Sequence, residues 1–292
     1  MRRRIATLLA VLAALAALAA PAAGQVTPRA DMGVTLTEGT GVLELDLSIG
    51  LNAGAPGKTL ALGTSLAADR YSGLSVSYGV LPELELGAAG AYTWSRNDVI
   101  GVHPRRPNWP RLAGTDERTL GPFHVYAKYR VMPFLALEGG LVVPGTHMSN
   151  DRVAIQVGLP FRHTVIPGVL AVHARPDLLL GFTKPGWSAG TDVQVSIYVD
   201  AGVTANFLPE LWADVSLGYG RALDPTAATL NGRLGTGGLP EDGFLPVSVT
   251  LGYAVIPALE FFAGFTLTNL LPINGTSSTD GRALTLGMAL HF

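Results

Sequence analysis

The sequence predicts an all-β protein, a transmembrane antiparallel β-barrel of twelve strands, and three observations support this fold class. Many segments alternate apolar and polar residues with a period of two, which is the pattern of a strand with one apolar face. Short turns between these segments alternate with much longer connections. Hydrophobic residues make up 48% of the chain and charged residues 14%, yet beyond Ile5–Ala20 no apolar run approaches the length of a membrane-spanning helix.

The N-terminal residues have the features of a secretory signal peptide. Three arginines, Arg2 to Arg4, precede the apolar Ile5–Ala20 run, and small residues follow it. The run is shorter than the roughly 20 residues that a spanning helix needs, which favours cleavage before Gln25 over an uncleaved membrane anchor. The sequence contains no cysteine, which excludes a lipid anchor, disulfides and thiolate chemistry.

A recurring turn motif divides the rest of the chain into hairpins. Each copy places a proline between two alternating segments, and proline is tolerated in a sheet only at turns and edges. A fifth, less regular turn is predicted at Arg162–Pro167. The four regular copies are at 78–86, 129–137, 207–212 and 253–261. The longer connections are at about 53–70, 96–118, 144–150, 183–191, 221–243 and 268–280.

These turns and connections define twelve predicted strands. An even number of strands brings both ends of a barrel to the same side. The seventh strand is the least regular, because Pro176 interrupts it. The strands are predicted at about 42–52, 71–80, 84–95, 119–131, 134–143, 151–161, 168–182, 192–205, 210–220, 244–255, 258–268 and 281–292.

The last strand carries the most specific pattern, because its apolar phase runs to the final residue. An ordinary C-terminal strand of a soluble sheet would also alternate. However, Thr285, Gly287, Leu290 and Phe292 resemble the C-terminal signal of bacterial outer-membrane β-barrels. This resemblance implies recognition by the barrel-assembly machinery, short periplasmic turns, longer extracellular loops, and contact with outer-membrane lipid and lipopolysaccharide. The implied organisation is a signal peptide at 1–24, a short periplasmic N-terminal arm at 25–40 and an outer-membrane barrel at 41–292.

Successive residues of a strand point to opposite faces of the sheet, so the two alternating sets of residues, here called phases, predict which face meets lipid. Six aromatic residues lie on the apolar phase near the strand ends on the side of the short turns, where an interfacial aromatic girdle is expected. A soluble sandwich would instead bury its aromatic residues in mid-core. The girdle residues are Tyr78, Tyr129, Phe161, Phe207, Tyr253 and Phe292. The lumen-lining residues on the opposite, polar phase are Glu44, Asp46, Glu85, His124, Lys128, Arg130, Glu138, Asp200, Asp214 and Glu260.

The predicted lumen carries charges of both signs. Centring one hairpin on Pro133 places Lys128 opposite Glu138, with Glu85 one strand away on the other side. These charges either wall a plugged barrel or contact a solute. Small residues on the lumen phase favour open space: Gly87, Ala89, Ala91, Gly140, Ala154 and Gly158.

Three other features of the sequence are candidate sites of chemistry. Residues 54–59 end like a phosphate-binding loop, but Asn52 replaces its first glycine. His147 and Ser149 resemble the base and nucleophile of outer-membrane phospholipase A, although the orienting Asn of that family is missing. Arginines of the 96–118 connection could bind lipopolysaccharide phosphates, guide anionic solutes or narrow the pore, or they could simply form a solvated charged surface. No spacing of His, Asp and Glu residues suggests a metal site, and no cofactor is expected. A net charge of −2 does not indicate binding to nucleic acid, which requires clustered positive charge.

The function predicted from the sequence is a porin-like passive channel for small solutes. Twelve strands lie between the eight that side chains fill and the sixteen that leave an aqueous pore. A non-conducting structural or surface-binding barrel is therefore an alternative. An outer-membrane lipid hydrolase using His147 and Ser149 is the less favoured one, and the protein is not expected to be an enzyme.

Overall fold

A computed structural model describes most of the barrel and part of the segment before it. The described residues are 26–52, 55–62, 74–90, 92–95, 117–120, 123–143, 153–182, 193–223, 245–267, 270 and 281–292. The predicted signal peptide lies outside them, as do most residues of the predicted long connections. No described helix has the length and apolar character needed to cross a membrane.

Within the described residues the chain forms one sheet of sixteen strand segments, and a short 3₁₀ helix, Arg29–Asp31, precedes it. Every segment pairs with its neighbours in the antiparallel sense. The segments are β1 (Gly41–Asn52), β2 (Ala55–Leu62), β3 (Leu74–Leu81), β4 (Leu84–Gly90), β5 (Tyr92–Ser95), β6 (Glu117–Leu120), β7 (Phe123–Met132), β8 (Leu135–Val143), β9 (Val153–Gly158), β10 (Phe161–Ile166), β11 (Leu170–Phe182), β12 (Val193–Asn206), β13 (Leu211–Ala222), β14 (Val247–Ile256), β15 (Leu259–Leu267) and β16 (Gly281–His291).

Four of the barrel strands each consist of two consecutive segments. β1 pairs with β3 through its first half and with β2 through its second half, so β2 and β3 occupy one position in the sheet. In the same way β4 continues into β5, β6 into β7, and β9 into β10. The described segments therefore build a closed 12-strand antiparallel barrel, which confirms the predicted fold class.

The pairing of β1 with β16 closes the sheet. It extends from the pair Val42 and His291 to the pair Asn52 and Gly281. At the end of this pairing beside the short turns, the Gly41 amide donates to the Phe292 carbonyl at 2.6 Å, and the Phe292 amide donates to the Gly41 carbonyl at 2.9 Å. A closed sheet has no edge strand with unpaired backbone groups.

Two local predictions differ from the structure. Ala55–Leu62 was predicted within a long connection, but it forms β2. The predicted turn at Arg162–Pro167 is wrong, because β10 continues to Ile166 and the turn follows it, with Gly168 at a φ of 72°. A glycine adopts this left-handed conformation without steric cost.

Pro176 does not interrupt the seventh barrel strand. β11 is continuous, and Pro176 pairs with Val199 of β12. On its other side it faces the gap between β9 and β10, where its carbonyl accepts a hydrogen bond from the Leu159 amide at 3.0 Å. A proline has no N–H to donate, so the interrupted neighbouring strand suits it.

The two faces of the sheet have opposite character. In β14, Val249, Leu251 and Tyr253 point outward and are 43%, 54% and 50% exposed, whereas Thr250 points inward and is 1% exposed. The same alternation of exposed apolar and buried residues runs along β7 and β15. A continuous outward apolar surface of this kind suits a lipid environment.

A charged residue on the outward face should therefore destabilise the barrel according to its depth. We expect Val249→Arg to lower the free energy of unfolding in lipid vesicles by about 2–4 kcal/mol, since arginine at mid-membrane is costly. Val255→Arg, on the same phase of β14 but beside the turn, should cost about 1 kcal/mol or less. Urea titrations of both variants measure the difference, and equal costs would contradict the assigned face.

Candidate functional site

The candidate site is the barrel lumen, together with the opening at the end that carries the short turns, here called the turn-end mouth. Seven of the predicted lumen residues point inward and are almost fully buried: Glu44, Asp46, Glu85, His124, Lys128, Glu138 and Glu260. Asp200 and Asp214 are half-buried. Arg130 lies near the mouth and contacts Glu83 at 3.8 Å.

One ion pair on the lumen wall joins β4 and β7. The Lys128 ammonium lies 2.8 Å from the Glu85 carboxylate and 5.6 Å from the centre of the Tyr126 ring. The Tyr126 hydroxyl also donates to Glu85 at 3.4 Å. Lys128 stands opposite Glu138 in the register, as predicted, but its charge is paired with Glu85 on the other side.

A second charged cluster lies on β8, β9 and β11. Arg175 donates to the Glu138 carboxylate, and to Asp177 at 3.4 Å. The Gln156 amide nitrogen donates to Glu138 at 3.1 Å and to Asp177 at 3.2 Å. Arg175 and Asp177 were missing from the predicted lumen because Pro176 obscured their strand. They are two residues apart and therefore lie on the same face of β11, and this spacing was the signal that could have placed both in the lumen.

A third group connects β11, β12 and β13. The His173 imidazole lies 2.8 Å from the Asp214 carboxylate. The Thr204 hydroxyl donates to the same Asp214 oxygen at 2.8 Å. The lumen wall thus carries several neighbouring groups of both charge signs, each formed between adjacent barrel strands.

The glycines among the predicted small lumen residues, Gly87, Gly140 and Gly158, do not border open space, contrary to the sequence-based expectation. Several inward glycines are covered by an aromatic or histidine ring from the next strand. A Cβ atom on Gly87 would lie 2.1 Å from the Tyr126 ring, and one on Gly140 would lie 2.2 Å from His124. Gly252 and Trp212 form a further pair of this kind. Glycine lets an aromatic ring lie against the backbone of the neighbouring strand.

Residues 26–40, here called the N-terminal segment, lie across the turn-end mouth. The Ala30 amide donates to Asn206 of β12 at 2.8 Å, and the Leu36 amide donates to Glu85 of β4 at 2.9 Å. Asp31 accepts a hydrogen bond from the Gly168 amide at 2.7 Å. β4 and β12 are far apart around the barrel, so the segment spans the opening. Its residues Ala30, Val34 and Thr35 are buried.

Two arginines fix the N-terminal segment. Arg162 of β10 donates to the carbonyl of Met32 at 3.0 Å and to that of Arg29. Arg29 extends from the segment to Glu260 of β15 at 3.3 Å and lies 4.9 Å from the centre of the Trp212 ring. The sequence predicted only a short arm, since none of these partners is near in sequence and no local pattern marks them.

The predicted girdle residues lie toward the turn end of the barrel, and the assembly-signal residues extend along β16 from its middle to the residue after its end. Tyr78, Tyr129, Phe207, Tyr253 and Phe292 point outward and are 43% to 66% exposed. Phe161 is half-buried and meets the Phe134 ring edge-on. Of the C-terminal pattern, Thr285 and Leu290 are buried, and the Phe262 ring covers Gly287.

Other predicted features lie partly or wholly outside the described residues. These include His147 and Ser149, and all the arginines of the second long connection except Arg118. Among the residues that the structure describes, no group of His, Asp and Glu side chains is arranged to hold a metal ion.

The barrel is similar to solved structures of bacterial outer-membrane porins and channels. The COG4313 outer membrane channel from Pseudomonas putida F1 aligns with a TM-score of 0.55 and 14% identity, over 92% of this chain and 100% of that one. The NanC porin gives 0.49 and 9% over 84% and 98% of the two chains. The KdgM porin gives 0.46 and 11% over 85% and 99%. No protein-family model and no curated protein sequence matches this chain.

The close fit of rings onto glycines should make the lumen wall intolerant of added side chains. We expect Gly252→Val to destabilise the folded barrel by about 1–3 kcal/mol, because its Cβ would lie 2.2 Å from Trp212. Gly139→Val is the matched control, since a Cβ there meets nothing within 4 Å. Unfolding in urea, followed by tryptophan fluorescence, compares the two. Equal stability of both variants would contradict the packing described for this wall.

Proposed function

We propose that the protein is a passive channel for ions and small solutes in the bacterial outer membrane. The observation that carries this proposal is a closed sheet whose outward face is apolar and exposed while its inward face is charged and polar. Such a barrel can satisfy all strand backbone groups within lipid and still present a polar interior. The fold shared with porins and channels is consistent with this, although a fold alone does not define a function.

The lumen charges support weak selectivity rather than a filter of one sign. Lys128 is matched by Glu85, and Arg175 by Glu138 and Asp177. Rings of one charge sign favour ions of the opposite sign, whereas paired charges largely cancel at a distance. The deep burial of these side chains favours a narrow passage, so the proposed solutes are small.

A non-conducting barrel is the second candidate. Glu138, His124 and Gln156 are each 0% exposed, and the N-terminal segment lies across the mouth. If the lumen stays closed in the membrane, the same structure would serve as a structural or surface-binding barrel. Conductance separates the two candidates.

We expect the purified protein to give stepwise single-channel openings in a planar lipid bilayer. Lys128→Gln removes one positive lumen charge while keeping a donor for Glu85, so the reversal potential in a salt gradient should shift toward cation preference. Val131→Glu, which adds a negative charge on the outward phase of β7, should shift it less.

Folded protein is verified before the recordings by its circular dichroism and its heat-dependent gel mobility. If the folded protein shows no channel openings at any voltage, with the N-terminal segment either present or deleted, the channel proposal is overturned in favour of the non-conducting barrel.

A further inference from the structure

We propose that the N-terminal segment is a releasable gate at the turn-end mouth, and that Arg162 is the residue that holds it closed. This inference rests on the proposed channel function and adds its regulation. The segment contacts five strands that are spread around the barrel, β3, β4, β10, β12 and β15. A segment in this position blocks the path between the lumen and the turn-end side.

The segment is attached in a way that permits release without unfolding the barrel. Most of its contacts are individual hydrogen bonds from the barrel wall, and it adds no strand to the sheet. Its backbone bonds with the sheet near β1 are at Gly39 and Thr40, with Gly79 of β3. Its buried apolar side chains are small, Ala30 and Val34. Segments with few buried apolar contacts open locally at lower free energy than the strands around them.

Arg162 holds the segment through two backbone carbonyls, one at each end of its 3₁₀ turn. The guanidinium donates to the carbonyls of Arg29 and Met32, and the Arg29 carbonyl also accepts a hydrogen bond from the Met32 amide within the turn at 3.3 Å. A rigid planar fork can satisfy two acceptors at once, whereas the single ammonium of lysine cannot reproduce this geometry. Arg162 projects from β10, which continues toward the turn end beyond the gap after β9.

Arg162 also links the gate to the lumen wall. Its guanidinium lies 3.5 Å from the Thr204 hydroxyl, and that hydroxyl donates to Asp214, the partner of His173. Arg29 reaches in the opposite direction, from the segment to Glu260 of the wall. Two arginines therefore bind the same short turn to the wall, Arg162 through backbone carbonyls of the turn and Arg29 through its own side chain.

The test compares single-channel open probability in planar bilayers. We expect Arg162→Ala to raise the open probability about tenfold or more, because it removes two charge-assisted hydrogen bonds to the segment. Arg162→Lys should restore only part of the closed state. His163→Ala is the matched control, since His163 is the next residue of β10, points outward and meets Phe134; it should behave as the wild type.

If the Arg162→Ala variant does not assemble, an engineered disulfide provides a second, independent test of the gate. The sequence has no cysteine, so an Ala30→Cys, Asn206→Cys variant can form only the intended bridge within one chain. The Ala30 amide lies 2.8 Å from the Asn206 side chain, which places the two positions side by side. We expect the oxidised variant to stay closed and to open after reduction.

The outcomes separate failure of the gate from failure of the channel. If all variants conduct with the open probability of the wild type, and reduction changes nothing, the gate proposal is overturned and the channel stands. If no variant conducts in either redox state although all are folded, the channel proposal itself is overturned, and the gate with it.

Discussion

The pairing of β1 with β16 is the constraint on which the rest of the structure depends. Only a closed sheet satisfies every strand N–H and C=O group within lipid, where water cannot substitute for a missing partner. Closure also fixes the phase of each strand, because a shift of one residue would turn every side chain to the other face. The apolar outer surface, the charged lumen and the position of the turn-end mouth all follow from this register.

Closure has a consequence for the lumen, because inward side chains from all sides compete for a limited space. The wall accommodates them by placing glycine beside each large ring, as with Gly87 and Tyr126 or Gly252 and Trp212. Its charges are matched between neighbouring strands, as in the pair Glu85 and Lys128. A buried charge without a partner is strongly destabilising, so this pairing is a condition of folding as well as of any selectivity.

The sequence predicted what depends on local periodicity. Alternation gave the twelve barrel strands and the inward phase of residues such as Glu85 and Lys128, since the side-chain period of a strand is local. It missed what depends on long-range contacts. Glycines such as Gly140 looked like open space because the ring that covers each comes from another strand. The N-terminal segment looked like a free arm because its partners, Arg162 and Asn206, are distant in sequence.

The N-terminal segment lies across the turn end of a polar barrel lumen. Backbone hydrogen exchange in the folded protein tests this position most directly, since the amides of Ala30 and Leu36 donate to wall side chains. We expect these amides to exchange at least about a hundredfold more slowly than those of an unstructured peptide, yet faster than amides of β14. Exchange at the unstructured rate, with the strands fully protected, would show that the segment does not occupy the mouth.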